Sequence, residues 1–417
     1  MGSTKGKFFN RLRKKNENDA KRHKADGVLL ALIFVLLIFG LVMITSIGVP
    51  KSIQLSAPNI LYPNCDDVNV DCYRVLKNHI VRLGIGVVMM FIAAKIPFRF
   101  WKKMAPFLFY GAVFVLFAVL ILGAKYTTFA RSWLVILNTS LQPTEFAKLA
   151  LIFYLASWME KRKVEIKSFQ KGFLPFCVIT GMLILPVLLQ PDLGGTLVIA
   201  IIAVAMYFVG GASFRHLMLG GFVLILSSAI LVASIGHVRQ RFTTFLQVDK
   251  GVCRADDCWQ SWQSEIAIGS GGFWGRGLTQ GVQKSYWLPQ ATDDFIFAAS
   301  AEELGFVRIG LLVIAYAAIA YRGFKIGRGA SNRFAELAAI GISVWISFQA
   351  FVNIAVNLAL MPVTGITLPF ISYGGSSLIS VLIAAGILLQ ISKYSDYAVS
   401  LFRRRERRPY HTEYSAH

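Results

Sequence analysis

Apolar stretches of roughly 17–25 residues recur along the chain, each closed by charged, proline- or glycine-bearing breaks, and that is the length a helix needs to cross a bilayer. The pattern predicts ten such helices, over about residues 27–49, 79–96, 104–123, 141–158, 172–189, 193–210, 216–236, 294–320, 335–357 and 374–393. The stretch 126–140, "YTTFARSWLVILNTS", is apolar but interrupted and reads as a short interfacial element. The chain is therefore expected to be an all-α polytopic membrane protein with a large extracytoplasmic loop, about 237–293, between helices 7 and 8. Basic tails, 1–26 and 394–417, flank a membrane domain over 27–393.

Composition agrees: 55% of the 417 residues are hydrophobic, 16% are charged, and mean hydropathy is +0.58. A soluble chain of this length could not hide that much apolar surface. The first span is too long for a secretory signal and lacks a small-residue cleavage site, so it reads as an uncleaved anchor.

Charge adds an orientation. Of the 43 Lys and Arg, 29 fall in the two tails and the loops on their side, including "RLRKK" and "FRRRERR". Such a bias marks the cytoplasmic side. The net charge of +21 then reflects topology and affinity for anionic lipid; a nucleic-acid role is disfavoured because no binding fold accompanies the basic tails. Cys65 and Cys72 share one outer loop and Cys253 and Cys258 another, whereas Cys177 lies within a span. Four cysteines on the oxidising side suggest two disulfides, with three connectivities open; metal binding or free thiols are the alternative.

Several polar residues have no place in ordinary membrane filler, since a charge in hydrocarbon costs about 2.5–3.5 kcal/mol on insertion scales. "WLPQATDDFIFAASAEELGF" carries Asp293 and Asp294 at the mouth of the eighth span, with Glu302 and Glu303 inside it. Asp293 and Thr292 read either as helix caps or as site residues. Asp294 either gains from the helix dipole or does chemistry. Glu302 and Glu303 read as packing residues, with Arg308 the nearest candidate partner. Glu145 and Lys148 in "LQPTEFAKLAL" are three apart, so they either neutralise one another structurally or line a site. Asp192 lies between two spans.

Gln349, Asn353 and Asn357 share one face of the ninth span, and a Pro- and Gly-broken segment follows before the tenth. Broken backbone at membrane depth survives only against protein or a watery cavity. The outer loop carries Arg239, Arg241, Arg276 and Lys284. Its glycines 269, 271, 272, 275, 277 and 281 would let the backbone approach a ligand closely. Trp259, Trp262, Trp274, Tyr286 and Trp287 suit the headgroup level. The six histidines are scattered and offer no metal cluster.

The strings "LPQATDDFIFAASAEELGF", "AIGSGGFWGRG…GVQK", "LQPTEFAKLA", "QPDLGGTLV" and "PVTGITLPFISYGGSS" resemble the SEDS family (shape, elongation, division and sporulation), in order and with matching spacing from about residue 28 to 393. "YGGSSL" and the long basic amino-terminal tail lean toward its FtsW division branch over the RodA or SpoVE branches. The resemblance implies a peptidoglycan glycosyltransferase polymerising lipid II at the outer face of the bacterial cytoplasmic membrane. It implies a class B penicillin-binding protein and other divisome proteins as partners.

On the family's pattern Asp294 is the catalytic acid. The usual His-Thr-Asp reads Thr292-Asp293-Asp294 here, which leaves Asp293 as an extra ligand or shared-proton partner. Glu145, Lys148, Asp192, Gln263 and Ser376 are expected at the substrate. On chemical grounds Arg239, Arg241, Arg276 and Lys284 are expected to hold its pyrophosphate, the alternative being that they pair with lipid headgroups and fix the depth of the loop. A divalent cation, Mg or Mn, is a candidate cofactor, and no organic cofactor is expected. A lipid II flippase and a division scaffold are the rival functions. The gathering of polar motifs on the outer side favours the enzyme.

Overall fold

The computed structural model describes residues 23–57, 65–67, 70–123, 132–136, 139–162, 165–234, 236–247 and 258–395. Helix α1 (Gly27–Ser56) begins where the Asp26 carboxylate accepts the N–H groups of Val28 and Leu29, both at 3.0 Å, satisfying two of its orphan donors. Helices α2 (Arg74–Lys95) and α3 (Phe98–Leu122) follow, then strands β1 (Leu134–Ile136) and β2 (Thr139–Leu141), antiparallel with Leu134 opposite Leu141. Helix α4 (Pro143–Lys161) starts on proline, whose missing N–H costs nothing in a first turn. Next come α5 (Leu174–Leu189), extended by a π turn over Phe169–Phe173, α6 (Leu193–Val209) and α7 (Phe214–Ser234). Two shorter helices, α8 (Gly236–Gln247) and α9 (Trp259–Gly271), precede α10 (Ile296–Arg328), α11 (Arg333–Asn357) and α12 (Gly375–Ser392).

A helix stands at each of the ten predicted stretches. Among the described residues, seven are long and apolar enough to cross a membrane: α1, α2, α3, α5 with its π turn, α10, α11 and α12. Of the others, α6 is apolar but only 17 residues long, and α4 carries Glu145 and Lys148 in its first turns. The outer loop departs from expectation, because α8 and α9 give it regular structure. Both are short and polar-interleaved, unlike the long apolar runs by which the other helices are legible. The stretch 126–140 ends in the β1–β2 hairpin; residues 124–131 lie outside the described ones.

The last two spans form the centre. Over their most apolar residues α11 is 72% and α12 83% buried, against 22% for α2 and α3. On α3, Phe107, Phe114 and Ile121 recur every seven residues and are 70%, 74% and 81% exposed, the face left for lipid. Close approach of α12 to α2 requires glycine: a Cβ on Gly386 would lie 2.2 Å from the Met90 carbonyl oxygen.

One end of the bundle joins distant basic segments. His23 N–H donates to the Lys393 carbonyl (2.8 Å), Asp26 N–H to Ser392 Oγ (3.0 Å) and Lys393 Nζ to the Ala94 carbonyl (2.7 Å); Arg322 lies 3.6 Å from Asp26. Cys65 and Cys72 form a disulfide, and Cys258 is also disulfide-bonded. Cys253 lies outside the described residues, and Cys177 is free and exposed.

Candidate functional site

At the opposite end, Asp293 and Asp294 occupy the turn ahead of α10. The face read on the ninth span fixes that turn. Asn353 Nδ2 and Asn357 Nδ2 both donate to the Asp294 carbonyl, at 2.7 and 2.8 Å, and Asn357 Oδ1 accepts Ala298 N–H at 2.9 Å. Asn353 Nδ2 also reaches the Ile366 carbonyl (2.7 Å), and Gln349 Nε2 the Thr367 carbonyl (3.0 Å). These amides satisfy the broken backbone between α11 and α12, which is how it survives among buried side chains. Tyr373 N–H then donates to the Thr292 carbonyl at 2.9 Å, tying this segment to the acid turn.

The two acids differ in company. Asp293 forms an ion pair with Lys51, near the end of α1. The Lys51 ammonium and the Arg82 guanidinium lie 5.4 and 4.9 Å from the centroid of the Tyr373 ring, within cation–π range. Asp294 is half-buried and forms no ion pair among the described residues. Its burial, then the charge of Asp293, push its carboxyl up to about 7, against the pull of Lys51 and Arg241. A carboxylate poised there can accept a proton near neutral pH.

The other expected site residues fall into distinct groups. Arg239 and Arg241 are exposed on α8, with Arg241 Nη1 3.3 Å from the Val363 carbonyl. Asp192 caps α6 by accepting Gly195 N–H at 2.7 Å, and burial raises its carboxyl. Gln142 links it to Ser376: its Nε2 lies 3.3 Å from Asp192 Oδ2 and its N–H 2.9 Å from Ser376 Oγ. Gln263 is buried on α9.

Glu145 and Lys148 are both buried and internally satisfied. Lys148 Nζ donates to Glu145 Oε1 (2.7 Å) and Gln349 Oε1 (2.8 Å), beneath the Trp345 ring. Of the arrangements left open by their spacing, the structure draws the ion pair.

Lys284 is likewise engaged within the protein. Its ammonium donates to Glu303 Oε1 (2.7 Å), Thr279 O (2.8 Å) and Ser46 Oγ (3.1 Å), which accounts for all three of its protons. Glu302 and Glu303 are loop anchors. Glu302 accepts the N–H groups of Val282 and Gln283 (2.9 and 3.0 Å), and Glu303 that of Thr279 (3.1 Å). Arg308, the partner expected of them, donates instead to the Trp274 carbonyl at 2.6 Å. Arg276 lies 3.7 Å from Glu302.

Gly271 and Gly275 bring the outer loop against the backbone of α10. Gly305, at φ +76°, breaks α10, and the loop fills the break. Arg276 and Gly277 N–H donate to the Glu302 and Glu303 carbonyls, both at 3.0 Å, while Phe306 N–H donates to Gly272 O at 2.9 Å. A Cβ on Gly275 would sit 2.2 Å from the Glu303 carbonyl oxygen.

Lys51, Arg82 and Tyr373 are the site neighbours that sequence reasoning missed. Lys51 follows Pro50 near the end of an anchor helix, and nothing local marks it; only Arg82, a charge inside a span, gave a signal.

The family model for FtsW, RodA and SpoVE, described as cell cycle protein, matches residues 27–397. Stage V sporulation protein E of Bacillus subtilis is 35% identical over 378 residues, 90% of this chain and 99% of that one. A probable peptidoglycan glycosyltransferase FtsW of Geobacter sp. is 34% identical over 368 residues, 88% of this chain and 96% of its own. Among solved structures, one from work on the structural coordination of polymerization and crosslinking by a peptidoglycan synthase complex superposes with a TM-score of 0.70 at 28% identity, over 88% of this chain and 97% of that one. Thermus thermophilus RodA superposes at 0.63 and 28%, over 88% and 96%. With a family match spanning the whole membrane domain and the acid turn held by the ninth-span amides, the chain belongs to the FtsW/RodA/SpoVE family of integral membrane proteins.

Proposed function

We propose that this chain is a peptidoglycan glycosyltransferase that polymerises lipid II at the outer face of the bacterial cytoplasmic membrane, in the septal wall synthesis of cell division. The observation that carries the reading is Asp294. It is a half-buried carboxylate without an ion pair among the described residues, held by its own carbonyl at a helix start. Joining two lipid-linked sugars requires removing a proton from an acceptor hydroxyl while a polyprenyl diphosphate leaves. Asp294 takes that proton, and the charges of Lys51 and Arg241 act on its carboxyl.

Both tails face the cytoplasm in this reading, on the Lys/Arg bias, which puts the acid turn at the outer headgroup level where both substrates carry their sugars. A class B penicillin-binding protein supplies crosslinking, by analogy with the synthase complex that the fold resembles. No group of three or more His, Cys, Asp or Glu side chains gathers to hold a metal among the described residues. A Mg or Mn ion therefore belongs to this reading only as a companion of the substrate's phosphates.

The test is lipid II polymerisation by the purified protein, alone and with its partner, for wild type and Asp294→Asn. Glycan strands from wild type only are expected; equal products from both would remove the base. Movement of lipid II across vesicles without polymer would favour a flippase instead.

A further inference from the structure

Beside Asp293, on the side of α1, lies a cavity of about 380 Å³, within the 300–1,000 Å³ typical of ligand pockets. Lys51, Lys284, Gln54 and Gln290 line it. Ile47 and Leu288 form an apolar side. The two lysines are not equivalent. Lys284 has all three protons committed, to Glu303, Thr279 and Ser46. Lys51 donates only to Asp293 among the described residues, its side chain is 27% exposed, and two of its three protons remain open to the cavity. Arg82, across the Tyr373 ring, adds a second positive charge to the neighbourhood.

We propose that Lys51 is the phosphate-binding residue of this cavity: Asp293 holds its ammonium in place when the site is empty, and a polyprenyl diphosphate draws it away when bound. The cavity suits both halves of such a ligand, since the lysine and amides meet the diphosphate while Ile47 and Leu288 meet the first isoprene units. Asp293 is then a competitor for the cation rather than a ligand, which accounts for an acid at a position where the related motif carries threonine. The proposal rests on the transferase reading for its ligand, but not for its test.

The test is equilibrium binding of undecaprenyl diphosphate to the detergent-purified full chain, with undecaprenol as control. Lys51→Gln should weaken diphosphate binding roughly tenfold or more, as loss of a charged hydrogen bond does, and leave undecaprenol unaffected. Asp293→Asn should tighten diphosphate binding severalfold, and this gain should vanish in the Lys51→Gln/Asp293→Asn double variant. Weakening by Asp293→Asn to the same extent as by Lys51→Gln would make the pair a structural strut and overturn the proposal, as would unchanged binding in Lys51→Gln. A wild type that binds with the expected pattern but makes no glycan would leave the pocket standing and sink the transferase reading. Polymerisation with a neutral Lys51→Gln would do the reverse.

Discussion

Lys284 Nζ lies 2.7 Å from Glu303 Oε1, so an outer-loop lysine and a helix-interior acid close over the break in α10. Both are nearly enclosed, at 10% and 0% side-chain exposure. Removing one partner of a buried pair leaves an uncompensated charge, at a cost of about 3–5 kcal/mol, whereas replacing both with apolar groups is often neutral. Lys284→Met should therefore lower the thermal stability of the purified protein sharply, and Lys284→Met/Glu303→Met should recover only part of it, because the Thr279 N–H and the Ser46 hydroxyl lose their Glu303 acceptor. A single variant as stable as wild type would show that the pair holds nothing.

The acid turn should give the enzyme a pH signature. With Asp294 pushed up to about 7, polymerisation should rise as pH passes through that value, because only the deprotonated carboxylate accepts a proton. Asp294→Asn should abolish activity at every pH.

The same shift has a stability counterpart with a defined sign. A carboxyl raised in the folded state from 3.8 to about 7 contributes stability that is fully present below the unfolded value and lost as pH rises through 7. Asp294→Asn, neutral throughout, should melt a few degrees higher than wild type at pH 8 and equal it at pH 4. Melting curves that coincide at pH 8 would place the carboxyl in a better-solvated setting.

Gly275 should tolerate no side chain. At φ +81° an added Cβ would meet the Glu303 carbonyl oxygen at 2.2 Å. Backbone strain and overpacking each cost about 1–3 kcal/mol. Gly275→Ala should reduce the yield of monodisperse protein, read by gel filtration. Gly277→Ala should be milder: its φ is +106°, but its nearest neighbour is the flexible Gln280 side chain at 3.5 Å.

Cys65 and Cys72 should resist alkylation without reductant, and so should Cys253 and Cys258. Mass spectrometry of the unreduced protein decides this, and four labelled outer thiols would refute it. Loss of the Cys65–Cys72 bridge, which closes a seven-residue separation, should loosen the outer segment while leaving the helical body folded.

Sequence alone determined the placement of ten of the twelve described helices, because a bilayer reads hydropathy locally and each stretch must satisfy its own backbone. It also determined the polar face of Gln349, Asn353 and Asn357, which is a matter of helical period, and it singled out Asp294. Only the tertiary structure decided who meets whom. Lys51 and Asp293 are 242 residues apart, and neither position's neighbours encode the other. The outer glycines were legible as close-approach positions, but whether the approaching group was a ligand or helix α10 depended on Gly305 breaking its own hydrogen-bond ladder 30 residues after Gly275. Glu145 and Lys148 could be paired by spacing, yet their burial under Trp345 came from the packing of α4 against α11. Local solvation fixes where a membrane helix runs; the company of its polar residues is fixed by which helix ends come together, and that is a property of the assembled bundle.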